Sequence, residues 1–179
     1  MKIVNFAEMN SELNRFVAEI RDIHIQQDRL RFRKNLERIG EVMSYEISKD
    51  FRYSEKLVTT PLGTARVNTA DDKIVIGTIL RAGIPYHQGF LNYFDRAENA
   101  FVSAYRKYKD KLNFEIFIEY IASPRIDGKI LILTDPMLAT GGSMELSYRA
   151  LLTKGEPEHI HIASLIASQK AIEYITTHF

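Results

Sequence analysis

The stretch of sequence best suited to chemistry follows the aliphatic run Ile130–Thr134, which predicts a buried strand. Two adjacent glycines, Gly141 and Gly142, stand directly before a pattern typical of a helix. Because glycine has no Cβ, the backbone can turn sharply there and approach a ligand closely. The amides of this turn, with the hydroxyls of Thr140 and Ser143, can converge on an anion at the positive end of the helix. This arrangement suits a terminal phosphate monoester.

The same loop begins with a carboxylate. Asp135 stands at the carboxyl end of the predicted strand, and Pro136 favours an extended conformation for it. A carboxylate in that place can accept hydrogen bonds from vicinal sugar hydroxyls while a phosphate occupies the glycine turn. The loop is not a Walker A motif, since no Gly-Lys-Ser/Thr follows the glycines, and it lacks the G-x-G-x-x-G dinucleotide fingerprint. The alternative is an ordinary strand-to-helix turn with an exposed aspartate.

Two arginines end other predicted strands. Arg81 follows Ile74–Leu80, and Arg106 follows Ala100–Tyr105. In a parallel sheet these strand ends lie on the same rim as Asp135. The guanidinium fork can bind diphosphate oxygens through two parallel hydrogen bonds. One such arginine alone is typical of a surface ion pair, whereas two beside a phosphate loop favour an anion site.

Other basic and imidazole side chains carry weaker signals. Lys107, Lys109 and Lys111 follow Arg106, and they fit either a loop that closes over a substrate or solvated charges. A basic helix spans Arg29–Arg38, but nearby glutamates dilute its charge, which favours a solvated face over one that binds RNA or a membrane. Three histidines lack the spacing of a catalytic triad or a metal site and are interpreted as structural, namely His87, His159 and His161.

Residues Asp135–Ser143 resemble the phosphoribosyl pyrophosphate (PRPP) loop of the uracil phosphoribosyltransferases. Most other type I phosphoribosyltransferases begin this loop with two acidic residues, and the Asp-Pro start is typical of the uracil branch. Ile79–Gly83 resembles the family's pyrophosphate-binding turn, and Tyr105–Arg106 resembles its other pyrophosphate contact. Leu30–Glu46 resembles the family's early helices, so the resemblance extends from about residue 20 to the end of the sequence.

The resemblance implies an enzyme that transfers the phosphoribosyl group of PRPP to uracil, giving UMP and pyrophosphate in pyrimidine salvage. It implies that Arg81 and Arg106 bind pyrophosphate, that Asp135 binds the ribose hydroxyls, and that Asp135 and Arg106 are the catalytic residues. Mg²⁺ is the expected cofactor, held mainly by PRPP oxygens and water. A homodimer or higher homo-oligomer and allosteric activation by GTP are further expectations. The PRPP site would also contain the loop residues Pro136, Met137, Leu138, Ala139, Thr140, Gly141, Gly142 and Ser143.

One feature of the family has no counterpart in this sequence. The family's uracil pocket lies in a carboxyl-terminal segment containing Gly-Leu-Gly-Asp, and no such segment precedes Phe179. A truncated chain is therefore expected, with a differently built base pocket as the alternative. Two other functions stay open: a type I phosphoribosyltransferase acting on a purine or orotate, and a non-catalytic regulator that senses PRPP or UMP.

A sheet flanked by helices would bring these residues together. Apolar runs alternate with helical patterns, which predicts an α/β fold with a mainly parallel sheet, the type I phosphoribosyltransferase fold. We expect one domain over residues 1–179, with a helical extension to about residue 50, a β-hairpin arm over about 57–67 and an α/β core over about 73–179. The predicted helices are Leu13–Ile20, Phe32–Ile47, Tyr86–Arg96, Met144–Lys154 and a last one after Ser168. The predicted strands are Leu57–Thr60, Thr64–Val67, Ile74–Leu80, Ala100–Tyr105, Phe114–Ile121, Ile130–Thr134 and Ile160–Ala167.

Composition excludes several classes of protein. The chain has no cysteine, which excludes disulfides, thiolate metal sites and cysteine nucleophiles. Its 24 lysines and arginines against 23 acidic residues give a formal net charge of +1, so nucleic acid bound through bulk charge is not expected. No apolar run approaches the length of a membrane span. We expect a cytoplasmic protein that holds anions with a few placed groups.

Overall fold

Two amino-terminal helices, a β-hairpin and an α/β core follow one another along the chain. This computed structural model describes residues 1–108 and 114–179, with side chains described outside residues 105–117. The helices are α1 (Leu13–Arg21), α2 (Arg29–Ser48), α3 (Ile84–Tyr93), α4 (Gly142–Leu151) and α5 (Gln169–His178). The strands are β1 (Tyr53–Thr60), β2 (Gly63–Ala70), β3 (Ile74–Leu80), β4 (Glu98–Tyr108), β5 (Phe114–Ala122), β6 (Ile130–Thr134), β7 (Met137–Leu138), β8 (His159–Ala163) and β9 (Ile166–Ala167).

The central sheet has five strands in the order β5-β4-β3-β6-β8. The four strands β4, β3, β6 and β8 are parallel to one another, and β5 pairs antiparallel with β4 at one edge. The prediction of a mainly parallel α/β sheet is therefore confirmed. Two smaller sheets accompany it: the antiparallel hairpin β1–β2 and the short parallel pair β7–β9.

Alternate residues of the central strands pack on opposite faces of the sheet, as the period of two in a β-strand requires. On one face, Ile76 and Ile132 join a cluster with Leu36 and Ile39 of α2 and Phe90 of α3. On the other face, the strands pack against α4 and α5. That second cluster contains Val75, Leu131, Leu133, Met144, Leu151 and Ile175. Both faces of the sheet are thus covered, and its rim of strand ends is left to bind ligands.

The bounds of several elements differ from the predicted ones. The predicted strand Ile160–Ala167 is divided into β8 and β9 at Ser164, whose hydroxyl donates to the carbonyl of Ile166 (3.0 Å). The hairpin is longer than predicted, and the predicted helix Met144–Lys154 ends in a 3₁₀ turn over Leu152–Lys154. In the described part of the chain, no helix is both long and apolar enough to cross a bilayer.

Candidate functional site

The backbone of the loop after β6 is held by the segment before α5. β7 pairs in parallel with β9, and the amide of Ile166 donates to the carbonyl of Pro136 (3.1 Å). Ser168 adds a second attachment, because its amide donates to the carbonyl of Leu138 (3.0 Å) and its hydroxyl to that of Ala139 (2.7 Å). Pro136 and Leu138 are buried, whereas the side chain of Met137 is 65% exposed. The loop is therefore fixed on one side and open on the other.

The loop enters α4 through a glycine that no other residue could readily replace. Gly141 has φ +84°, in the left-handed region, and a Cβ on it would lie 2.5 Å from the Tyr174 ring of α5. The first intrahelical bond runs from the amide of Glu145 to the carbonyl of Gly141 (3.0 Å). The amides before Glu145 therefore have no intrahelical acceptor, as at any helix start. Together with the exposed Thr140 and the half-buried Ser143, they place hydrogen-bond donors at the start of α4, an arrangement that can bind an anion.

Asp135 lies half-buried at the end of β6, next to this turn. Its amide donates to the carbonyl of Ala163 (3.2 Å), and its Oδ1 accepts a hydrogen bond from the amide of Met137 (3.3 Å). Burial raises the pKa of the Asp135 carboxyl to about 6, although the bond from Met137 lowers it. At neutral pH the carboxylate is charged and incompletely solvated, which makes it a strong acceptor for hydroxyl donors.

Arg81 lies on the same rim as Asp135. The β3–β6 register pairs Thr78 with Thr134, so the two site segments follow directly from neighbouring strand ends. The turn after β3 contains a cis peptide bond between Leu80 and Arg81, and the side chain of Arg81 is exposed. The amide of Ile84 donates to the carbonyl of Arg81 (3.3 Å) and closes the turn.

Arg106 lies on the next strand of the sheet. Its backbone belongs to β4, three residues beyond Ser103, the register partner of Leu80. The side chains of Arg106 and Lys107 lie outside the described residues. Lys109 and Lys111 of the predicted mobile loop also lie outside them.

The structure also shows a buried polar network that sequence reasoning missed. The imidazole of His87 contacts the hydroxyl of Thr78 through Nδ1 and the Oδ1 of Asn99 through Nε2 (2.7 Å). The hydroxyl of Thr78 lies 2.8 Å from that of Thr134. The only signal in the sequence is that each threonine interrupts or ends an aliphatic strand. Nothing in the sequence shows that the two side chains meet the same histidine.

The other histidines lie away from the rim. The rings of His159 and His161 on β8 are 4.7 Å apart between centroids, and His161 packs against Phe51. Burial, followed by the neighbouring His159, lowers the pKa of His161 to about 4. An open cleft of about 480 Å³ lies at the opposite, amino-terminal edge of the strands, and its lining includes three basic and three acidic side chains: Arg52, Lys73, Lys129, Asp71, Asp72 and Asp127. Among the described side chains, which exclude those of residues 105–117, no group of three His, Asp or Glu is placed to hold a metal ion.

Comparison with known sequences identifies close relatives. A family model described as uracil phosphoribosyltransferase matches residues 9–179. A protein named uracil phosphoribosyltransferase from Porphyromonas gingivalis is 66% identical over 175 residues, which cover 98% of this chain and 81% of that relative. One of the same name from Methanothermobacter thermautotrophicus is 38% identical over 146 residues, covering 80% of this chain and 67% of that relative.

Solved structures show the same architecture. A protein of Aquifex aeolicus superposes with a TM-score of 0.82 at 31% identity, covering 95% of this chain and 80% of that one. A hypoxanthine phosphoribosyltransferase from Staphylococcus aureus gives a TM-score of 0.55 at 14% identity, covering 78% and 66%. The second likeness, at so low an identity, concerns the fold alone.

Proposed function

The chain belongs to the uracil phosphoribosyltransferase family, and we propose that it transfers the phosphoribosyl group of PRPP to uracil, forming UMP and releasing pyrophosphate. The observation that carries this proposal is the order of groups at the end of β6. A half-buried carboxylate, Asp135, is followed by a rigid turn that enters α4 through the left-handed Gly141. A ribose 5-phosphate presents vicinal hydroxyls and a terminal phosphate, which are the groups that such a carboxylate and such a turn bind.

The loop residues divide by role in this proposal. Residues 139–143 bind the 5′-phosphate through their amides and through the hydroxyls of Thr140 and Ser143. Asp135 accepts hydrogen bonds from the ribose hydroxyls. Pro136 and Leu138 are buried and hold the loop against the sheet, and the exposed Met137 borders the site.

The reaction exchanges one bond for another at the anomeric carbon. The bond to a pyrophosphate oxygen breaks and leaves its electron pair on that oxygen. A uracil nitrogen bonds to the carbon and loses its proton to solvent water. The sugar passes through an oxocarbenium-like state, which the negative charge of Asp135 stabilises. Arg81 and Arg106 bind the departing pyrophosphate, with Arg106 and Asp135 as the catalytic residues. Mg²⁺, bound mainly by PRPP oxygens and water, would neutralise part of the pyrophosphate charge.

The apolar surface of the hairpin favours a homodimer or higher homo-oligomer. Leu57 is 69% exposed and Leu62 fully exposed, and an isolated two-stranded hairpin is marginally stable by itself. We therefore propose that β1–β2 packs against a second copy of the chain. Activation by GTP and a cytoplasmic location follow from the family resemblance and the composition, and they complete the proposal.

The function is tested by incubating the purified protein, expressed to its natural stop codon, with labelled uracil, PRPP and Mg²⁺ and measuring UMP. Parallel reactions replace uracil with orotate or hypoxanthine. We expect product from uracil alone. Product from either other base, or no product from uracil while PRPP binds with high affinity, would reject the proposed activity.

The two arginines are tested by calorimetry with PRPP and UMP. Arg81→Ala and Arg106→Ala should each weaken PRPP binding by about 1.5–3 kcal/mol, since arginine–phosphate hydrogen bonds are charge-assisted. UMP has no pyrophosphate, so its affinity should hardly change. Arg125→Ala, at an exposed arginine paired with Asp127, is the matched control. Equal losses for both ligands would place the arginines elsewhere.

A further inference from the structure

Beneath the rim, four polar side chains form a continuous hydrogen-bonded row. Asn99 of β4, His87 of α3, Thr78 of β3 and Thr134 of β6 follow one another through the contacts given above. His87 is 4% exposed and both threonines are fully buried, whereas Asn99 at the outer end of the row is exposed. The hydroxyl of Thr134 also lies 3.2 Å from the carbonyl of Gly77. Three strands and one helix are thus linked by side chains rather than by backbone alone.

This row touches both halves of the proposed PRPP site. Thr134 directly precedes Asp135 in the chain. Thr78 lies under the pyrophosphate turn, because its Cγ2 is 2.6 Å from where a Cβ on Gly83 would stand. The amide of His87 also donates to the carbonyl of Gly83 (2.8 Å). His87 therefore contacts the Arg81–Gly83 turn through its backbone amide, and its imidazole is linked through the Thr78 and Thr134 hydroxyls to the residue that precedes Asp135.

Packing alone does not explain polar residues in these places. Thr78 and Thr134 lie in strands whose other buried residues are aliphatic apart from Gly77, and valine has the shape of threonine. A buried hydroxyl or imidazole is unfavourable unless it is hydrogen-bonded, whereas a fully bonded row fixes side-chain positions. Burial lowers the pKa of His87, so its neutral ring has one donor and one acceptor nitrogen. With Nε2–H donating to Asn99, Nδ1 accepts from Thr78, and the single Thr134 proton is shared between the Thr78 oxygen (2.8 Å) and the Gly77 carbonyl (3.2 Å).

We propose that His87 is a positioning residue for phosphoribosyl transfer, which holds the Arg81–Gly83 turn at a fixed distance from Asp135 through Thr78 and Thr134. This inference rests on the function proposed above. PRPP spans both segments at once, so its binding depends on their separation. UMP occupies only the β6 side of the site, so its binding does not depend on that separation.

The test compares the two ligands in variants that break the row. His87→Phe removes the acceptor and keeps a ring of similar size, and Thr78→Val removes the hydroxyl and keeps the shape. We expect each to weaken PRPP binding and lower kcat/KM about tenfold, since small misplacements of binding groups have effects of this order or larger. UMP affinity should stay within about twofold, and the double variant should lose no more than the worse single variant.

Two further variants control for structural damage. His87→Asn keeps an acceptor near the position of Nδ1 and should recover most of the PRPP affinity. His161→Phe makes the same exchange at a histidine that packs against Phe51 on β8, and it should leave both ligands unaffected. Thermal unfolding of each variant shows whether it is folded. If His87→Phe does not fold, the proposal is tested with Thr78→Val.

Several results would overturn the inference. These are unchanged PRPP binding in folded His87→Phe or Thr78→Val, equal losses for PRPP and UMP, or additive losses in the double variant. Failure of the proposed function is a separate result. A parent protein that binds PRPP and UMP but makes no UMP rejects the activity, while the comparison of affinities still tests the positioning role.

Discussion

Asp135 is predicted from the sequence, is half-buried in the structure and has a role in the proposed reaction. Its place at the end of β6 follows from a buried aliphatic strand that must end where the chain leaves the sheet. Burial makes its charge unfavourable without a ligand, which is why the pKa of this carboxyl is raised. A sugar with two hydroxyl donors would supply the missing hydrogen bonds. The same group is therefore a source of affinity and a source of instability.

Asp135→Asn should lower turnover much more than it changes folding stability. Asparagine keeps the shape and the acceptor for the Met137 amide but loses the charge. We expect kcat to fall roughly 100-fold, the scale of one lost preorganised electrostatic contact. Steady-state kinetics with PRPP and uracil measure it. The expected fall in kcat is about 100-fold. A kcat within about threefold of the parent's would show that Asp135 is not a catalytic residue.

The same variant should change how stability depends on pH. The Asp135 pKa is about 6 in the folded protein and 3.8 in the reference state, so this group favours folding most below pH 3.8 and loses that contribution as pH rises through 6. Without ligand, Asp135→Asn should therefore be more stable than the parent at pH 8, by about 1–2 kcal/mol, and the gap should narrow towards pH 4. The free energies of unfolding of both proteins, measured at several pH values, test this prediction. A gap that widens as pH falls would contradict the burial of a charged carboxylate.

Asp135 and its loop could be predicted from the sequence because the signals that identify them lie in one short stretch of the chain. The strand, the turn and the helix start lie within about twenty consecutive residues, and each has a known signal. The row through His87 was interpreted only as structural, because its members come from four separate elements. Their meeting depends on the register Thr78–Thr134, which no single segment encodes.

At the scale of elements, α5 supports the phosphate turn from outside it. The Tyr174 ring lies against Gly141, and its hydroxyl donates to Glu145 in the first turn of α4. Arg149 also binds Glu145, with an Nη2–Oε1 distance of 2.7 Å. These contacts lower the pKa of Glu145 and balance its negative charge in the first turn of α4. The geometry of the turn thus depends on a helix about thirty residues later in the sequence.

Gly141→Ala should destabilise the fold and weaken UMP binding together. A left-handed alanine costs about 1–2 kcal/mol, and its Cβ would also displace Tyr174. Gly128→Ala is the matched control, because Gly128 has φ +61° with open space around it. The difference between the two variants isolates the contact with Tyr174. Equal destabilisation, with UMP affinity unchanged in both, would contradict the support from α5.

The predicted bounds of an element were correct where its hydrophobic pattern is strong. They were wrong where pairing with another strand determines where the element ends. β3 and β6 have the predicted bounds, since long aliphatic runs between polar ends leave little choice. The run Ile160–Ala167 looked like one strand, but Ala163 accepts from Asp135 and Ile166 donates to Pro136, so the chain changes sheets between them. The antiparallel direction of β5 likewise depends on its pairing with β4.

At the scale of the whole molecule, the hairpin is a part whose large apolar side chains are not packed into the core. Almost every residue of β1 is exposed, so neither face of the hairpin packs fully on the rest of the chain. Replacing Leu57 and Leu62 with serine should convert the proposed homodimer into a monomer with little change in the folding of the core. Light scattering after size exclusion measures the mass. Ile23→Ser, at an equally exposed apolar side chain, should leave the mass unchanged. A parent that is already monomeric, or a dimer that survives both serines, would rule out the hairpin as the interface.

The parallel pair β7–β9 has a consequence for local opening of the chain. It joins the phosphate turn to the start of α5 through the bonds of Ile166 and Ser168, so α5 cannot separate from the sheet without disturbing the turn. A ligand bound at the turn therefore favours the closed state of both, and linkage requires that it slow the opening of α5. Amide hydrogen exchange in α5 should accordingly slow on addition of UMP, while exchange in the distant hairpin stays the same. The last helix would then report occupancy of a site to which it contributes no ligand-binding group.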